Sequence, residues 1–404
     1  MRYSIDDINT VRGILYDNIQ KEVASAFPLQ DDNYILDVKD LRYEGPEVTD
    51  YTEEKNHILG GTTAFRPLRG TLQFIDKQTG KVLSSARKRI VAVPILTNRG
   101  TFILNGTEYG FVNQLRLRPG IYTRLKSTGE YEALVNVANA PGHRYVFDPK
   151  EGVFYFTHKQ ASIPLFPLLK ALGVTDDELR QTLGPELYAK NLQAASKVNL
   201  QKYAKTLFDY SAVDEDDALK EMKKYFDRLS FDPEVNKITI GIPKDKLDKE
   251  VVLRVLSKMI NASKGLTSID DRNHVGFLRL HGLEDALREA IYRNRYPLRK
   301  FFNRVRARRS VDYWPAGVFD KAVAHSIYAS GLGQSLQEIN PLEILNNRYR
   351  VTRLGEGGIA SLDSVSDDVR ELHPSHANFI DPLLTPEGEN VGVDNRLVSG
   401  IVRD

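Results

Sequence analysis

Three groups of residues in this chain have types and spacings that could do chemistry. Between Ile339 and Asn395, Arg348, Arg350 and Arg353 precede a turn of Gly355, Glu356, Gly357 and Gly358; beyond an acidic linker come His373, His376 and Asp381, then Pro386, Glu387, Gly388, Asn390 and Gly392. Guanidinium groups bind phosphate or carboxylate bidentately, two histidines with a carboxylate can ligate a metal, and proline and glycine fix a loop that carries such groups. From Arg293 to Arg309 there are eight basic residues and no acid: Arg293, Arg295, Arg299, Lys300, Arg304, Arg306, Arg308 and Arg309, with Tyr296, Phe301 and Phe302 interleaved. Such a run is either a solvated face or a track for phosphates, and spacing alone leaves both open. The third group is the acidic run from Asp214 to Asp217. Two-metal phosphoryl transfer needs clustered carboxylates, but no D-x-D-x-D spacing occurs in the chain, and this run reads as the start of a helix, where negative charge faces the unpaired N–H groups.

The elements that must position these groups are legible from periodicity. Residues 4–27 place Ile5, Ile8, Val11, Ile14, Leu15, Ile19, Val23 and Phe27 at helical spacing, with Ser4 as the expected N-cap and Asp6 and Asp7 in the first turn. From about Tyr34 to Ser127 short β-branched and aromatic runs take over, with hairpins turning at Thr79 and Gly80 and at Asn105 and Gly106. YVFDPKEGVFYF reads as another hairpin, and PLFPLLKALGVTDDELRQTLG then switches to helices, the second opening on a capping box at Thr175 and Glu178. Helical patterns dominate to about Leu229, and further helices are expected near 250–262 and 283–292. The fold class is therefore α+β and multidomain.

The chain has 404 residues, 41% hydrophobic and 27% charged, and a formal net charge of +2. That length holds two or three domains, and so small a net charge excludes a protein that coats nucleic acid uniformly; any basic surface must be local. The absence of cysteine excludes disulfides and thiolate zinc sites. No stretch approaches the roughly 18 apolar residues of a membrane span, and the start lacks the apolar core of a signal peptide, so a soluble protein with no membrane partner is expected.

Residues 93–124, VPILTNRGTFILNGTEYGFVNQLRLRPGIYTR, resemble the N-terminal half of the β subunit of bacterial multisubunit RNA polymerase. Gly100, Thr101, Phe102, Asn105, Gly106, Thr107, Glu108, Val112, Gln114, Leu115, Pro119, Gly120 and Tyr122 stand in the family's order. Three further blocks follow co-linearly: IPLFPLLKALGVTDDEL, NPLEILNNRYRVTRLGEGGI and HPSHANFIDPLLTPEGENVGVDN. The resemblance implies a mixed sheet-and-helix protrusion (1–124 and 280–333), an inserted, reduced and mainly helical lobe (125–268), and a loop-rich fork (269–279 and a truncated 334–404). Together these would wall one side of a DNA cleft.

Carried over residue by residue, Gln334, Pro386, Glu387 and Asn390 match positions near the nascent RNA, and Arg350 matches an arginine in the wall of the rifamycin pocket; His274 and Arg279 remain of the fork's polar set. The histidines of HPSH belong to a metal-free loop. No catalytic residue, cofactor or metal is expected on this chain; Mg2+ is expected on a β′-like subunit. The implied partners are a chain carrying the C-terminal half of β, β′-like chains, the DNA template and nascent RNA, and the enzyme implied is a nucleotidyltransferase in which this chain alone is inactive.

Departures are informative. Ser361 replaces a customary hybrid-contacting arginine, Glu356 replaces a proline, and Asp271 to Arg279 keep only part of the usual motif. Gln337, Asn347 and Thr352 stand where the family has Asp, His and Ser, which implies resistance to rifamycins. A split, diverged β of this kind resembles the polymerases of giant bacteriophages, which would place it in the cytoplasm of an infected host bacterium or in the virion; a piece of a cellular enzyme is the competing reading. A non-catalytic decoy that binds polymerase partners or DNA is the alternative from another functional class.

Overall fold

The computed structural model describes residues 2–137, 142–159, 161–196, 198–208, 210–336 and 340–403. The chain divides into two compact units, Met1–Arg116 with Leu280–Asp404, and Leu117–Arg279, and the whole is an α+β fold.

In the first unit the helix Ile8–Ser25 is capped by Asp7, whose Oδ1 accepts from the Thr10 backbone N–H at 3.1 Å. The sequence points to Ser4 as the cap. In the structure Ser4 lies in the strand Tyr3–Ser4, paired with Val402–Arg403, so the helix starts a turn later. Its buried face, Leu15, Ile19 and Val23, recurs every four residues. It packs in one core with an antiparallel sheet ordered Leu29–Gln30, Tyr34–Tyr43, Phe65–Asp76, Val82–Pro94. Leu287 and Ile291 of the helix Leu283–Arg293, Phe302 of the helix Tyr296–Arg308, and Trp314 complete that core. Each fully buried apolar side chain of this kind stabilises by about 1.5–3 kcal/mol.

Both hairpins form where the sequence places them. Gly80 has φ 67°, and Asn105 and Gly106 have φ 48° and 78°, the left-handed pair that a two-residue turn between right-twisted strands requires. Two small sheets then carry the candidate site. Gly333–Ser335 pairs with Thr107–Phe111, and Arg350–Thr352 lies between Asn113–Leu117, which it meets in parallel, and Asp394–Arg396, which it meets antiparallel. A Cβ on Gly333 would lie 1.4 Å from the Ile327 carbonyl oxygen, so only glycine lets this strand pass so close to the helix Asp320–Tyr328.

The second unit is built on a five-strand antiparallel meander, Gly120–Leu125, Tyr131–Asn136, His143–Asp148, Val153–His158 and Ala161–Pro164. Helices follow at Phe166–Ala171, Asp176–Leu183, Pro185–Ala195, Leu200–Phe208, Glu215–Asp227, Pro233–Thr239 and Lys249–Ser263, sharing one core with the sheet through Phe154, Phe156, Phe226, Val251 and Leu256. The capping box at Thr175 and Glu178 is present, and Asp214 caps the acidic helix start. His143 is buried in this core with its Nδ1 3.1 Å from the Tyr225 hydroxyl, and burial pushes its imidazole down to about 3.

Candidate nucleic-acid interface

Arg350 and Arg396 stand directly opposite each other across the strand pair, an arrangement that like charges make unfavourable. Asp394, the diagonal neighbour of Arg350, relieves it. The Arg350 Nε donates to Asp394 Oδ1 and Oδ2 at 3.0 and 2.9 Å, and Arg396 lies 3.8 Å from the same carboxylate. Burial lowers the Arg396 guanidinium from its ordinary value against the opposing pull of Asp394. The remaining Nη1 of Arg350 donates to Gln334 Oε1 at 2.6 Å. Two residues singled out by sequence thus meet, each delivered by a different small sheet, and the carboxylate that fixes them was not among those singled out. Its signal was available: an arginine half-buried in a strand needs a neutralising partner on the same face.

The loop carrying the other site residues is held by its backbone. Asp381 Oδ1 accepts from the Leu383 N–H at 2.8 Å, and Arg370 Nη1 donates to the carbonyls of Glu389 and Val391. Gly392 has φ 74°, and a Cβ there would come 2.3 Å from the Arg370 carbonyl oxygen. Pro386 is half-buried, whereas Glu387 and Asn390 are exposed at either end of the turn Gly388–Asn390. Glu387 opens that turn without a side-chain capping bond. Among the described residues neither side chain has a partner, which leaves a carboxylate and an amide presented to solvent on a fixed backbone.

The glycine turn sits in a run of alternating charge. Arg116 donates to both oxygens of Glu289 at 3.1 and 2.8 Å and to the Glu356 carbonyl at 2.8 Å. Arg293 bridges Glu289 at 2.9 Å and the Glu356 carboxylate at 2.6 Å. Gln114 Nε2 reaches the Leu354 carbonyl at 2.6 Å. Glu356, the departure from the family's proline, is thus the partner of the first residue of the basic run. His281 lies against this cluster, its Nε2 3.9 Å from Glu289, and burial pushes it down to about 4.

The basic run splits in two. Arg293 is tied as described, Arg295 donates to the Glu22 carboxylate and carbonyl and to Ser25, and Arg306 pairs with Asp31 at 3.0 Å. Arg299, Lys300, Arg304, Arg308 and Arg309 are exposed with no ion pair among the described residues. Of the interleaved aromatics, Phe302 is core at 1% exposure and cannot face a nucleotide, while Tyr296 is 92% exposed.

His373 Nδ1 accepts from the Ser375 N–H at 3.0 Å and opens a short turn in which His376 is buried. Among the described residues no group of three His, Asp or Glu is arranged to hold a metal, and no helix is long and apolar enough to cross a membrane. Ser361 faces solvent with its Oγ 3.1 Å from that of Ser364. Asn347 and Thr352 are buried, the Thr352 hydroxyl accepting from the Leu354 N–H at 3.2 Å; Gln337 lies outside the described residues. His274 and Arg279 belong to the second unit, where both are exposed; His274 Nδ1 accepts from the Gly276 N–H at 3.0 Å.

Residues 118–281 match the family model of RNA polymerase Rpb2, domain 2, and residues 334–399 that of RNA polymerase Rpb2, domain 3. The first match nearly coincides with the second compact unit. The DNA-directed RNA polymerase subunit beta of Thermosynechococcus vestitus is 25% identical over 420 residues, covering 96% of this chain and 37% of its own length. The same subunit of Gloeobacter violaceus is 24% identical over 96% of this chain and 37% of its own, and that of Prochlorococcus marinus 27% over 81% and 32%. The chain is homologous to the bacterial β subunit and spans little more than a third of the length of these relatives.

Proposed function

We propose that this chain is the N-terminal β component of a multisubunit DNA-directed RNA polymerase, walling the DNA cleft and positioning the RNA:DNA hybrid while partner chains carry the chemistry. The observation that carries this reading is the meeting of Gln334 and Arg350 over buried Asp394, beside a loop whose Glu387 and Asn390 are exposed on a fixed backbone. Fixed amide and carboxylate groups of this kind can donate to and accept from the sugar and phosphate groups of a nucleic acid without ordering a loop first. The partners are a chain with the C-terminal half of β and β′-like chains, and Mg2+ belongs to the latter.

A phage-type split enzyme is the form that best suits the divergence at Glu356, Ser361, Asn347 and Thr352, in the cytoplasm of an infected host or in the virion. The test is reconstitution of the complex with and without this chain. Template-directed nucleotide incorporation lost on omission and restored on addition is the expected result; transcription that survives omission overturns the reading and leaves a decoy.

A further inference from the structure

We infer that Arg116 and Arg293 are positioning residues: with Glu289 and Glu356 they close a ring of ion pairs that clamps the glycine turn Gly355–Gly358, and the outer bridge of that ring opens with salt. Glycine has the widest backbone freedom of any residue, and the turn contains three, so Glu356 is its one side chain. The Glu356 carboxylate accepts from Arg293 at 2.6 Å, its carbonyl accepts from Arg116 at 2.8 Å, and its N–H donates to the Ser330 carbonyl at 3.1 Å. Arg116 and Arg293 meet again on Glu289, at 2.8 and 2.9 Å, which closes the ring. The strand Asn113–Leu117, the helix Leu283–Arg293 and the turn, far apart in sequence, are joined in this way.

The packing leaves the turn no room to shift. A Cβ on Gly357 would come 2.6 Å from the Arg116 guanidinium carbon, and one on Gly358 would come 2.4 Å from Gln114 Nε2. The backbone therefore lies directly on these two side chains. A proline in place of Glu356 could neither donate to Ser330 nor reach Arg293, so this anchoring belongs to the glutamate. Exposure around the ring is uneven: the side chains of Arg116 and Glu289 are 16% and 27% exposed, those of Arg293 and Glu356 39% and 48%. Salt screens exposed pairs more than partly buried ones, so the Arg293–Glu356 bridge gives way first while the Arg116–Glu289 pair holds. The turn leads through Ile359 into the exposed Ser361, and its setting decides where that segment stands against a bound hybrid. That consequence rests on the polymerase reading, whereas the clamp is a property of this chain alone.

Hydrogen exchange of the full chain, read by mass spectrometry, tests the clamp. The N–H groups of Gly355, Gly358 and Ile359 donate within the turn region at 3.1, 3.0 and 3.0 Å and exchange when it opens. E356A should speed exchange over residues 354–361 by about tenfold or more, the loss of one charge-assisted bond. Raising salt from about 0.1 to 1 M, which shortens the screening length from about 10 to 3 Å, should speed exchange there in the wild type but not in E356A. The control E186A, which removes an exposed pair with Lys190 at 3.0 Å, keeps the wild-type rates over 354–361. In the complex reconstituted with its partner chains, E356A should lower template-directed incorporation by about tenfold, and E186A should not. Equal exchange over 354–361 in wild type and E356A, or the same salt response in both, would overturn the clamp. Faster exchange with undiminished incorporation would overturn the positioning role. A wild-type complex that incorporates nothing overturns the polymerase reading instead, and the exchange rates still decide the clamp.

Discussion

Gln334 accepts a 2.6 Å hydrogen bond from Arg350 across sixteen residues of sequence. The bond exists because Asp394 holds the other edge of the guanidinium. Charge-assisted bonds contribute about 1.5–3 kcal/mol each, so Arg350→Ala should cost about 2 kcal/mol and lower the thermal midpoint by roughly 4–8 °C. Asp394→Ala should cost as much, and the double variant should fall short of the sum by at least about 1 kcal/mol. Strict additivity in thermal unfolding would show that the pair does not couple. Arg350→Lys should not rescue, since an ammonium cannot serve both partners with a fork.

Gly392→Ala meets two penalties: the left-handed backbone costs about 1–2 kcal/mol, and the Arg370 carbonyl occupies the space of the new methyl group. Gly388→Ala has the same backbone penalty, with φ 78°, but open space around it. Limited proteolysis of the 381–393 loop should therefore accelerate more in the Gly392 variant. Equal rates would mean that contact with Arg370 does not set the loop.

Two buried histidines make stability depend on mildly acid pH. His281, in the first unit, has its proton affinity pushed down to about 4, against an unfolded value near 6.5. The unfolded chain takes up a proton that the folded chain refuses, so stability is fully present above pH about 6.5 and falls as pH drops towards 4, by up to about 3 kcal/mol. His143 adds a drop of the same sign in the second unit. Denaturant unfolding from pH 7 to 4.5 should show the loss, and His281→Gln should flatten the part that belongs to the first unit. A flat profile in the parent protein would place both imidazoles in contact with water.

If the proposed polymerase reading holds, rifampicin should inhibit the complex containing this chain only weakly. Asn347 and Thr352 are each only 8% exposed, which leaves little of either polar group within reach of a ligand. Run-off transcription at drug levels that stop a cellular bacterial polymerase is the check, and potent inhibition would refute it.

Local chemistry was the legible part of this molecule. Asn105 and Gly106 announce their hairpin because few other residue pairs accept that backbone, and Thr175 with Glu178 announces a helix start because the two side chains satisfy the same turn. Contacts across long separations were not legible. The basic run could be counted from sequence, but which of its charges are already occupied depends on Glu22, Asp31, Glu289 and Glu356, brought to it by the folding of distant segments. The start of the first helix was misplaced for a similar reason: Ser4 is an acceptable cap, but strand pairing with Val402 takes it away.

Phe302, at 1% exposure beneath the cationic face of its helix, anchors that face to the core. Its charges are carried on a rigid bar rather than on a tail that must fold around its target.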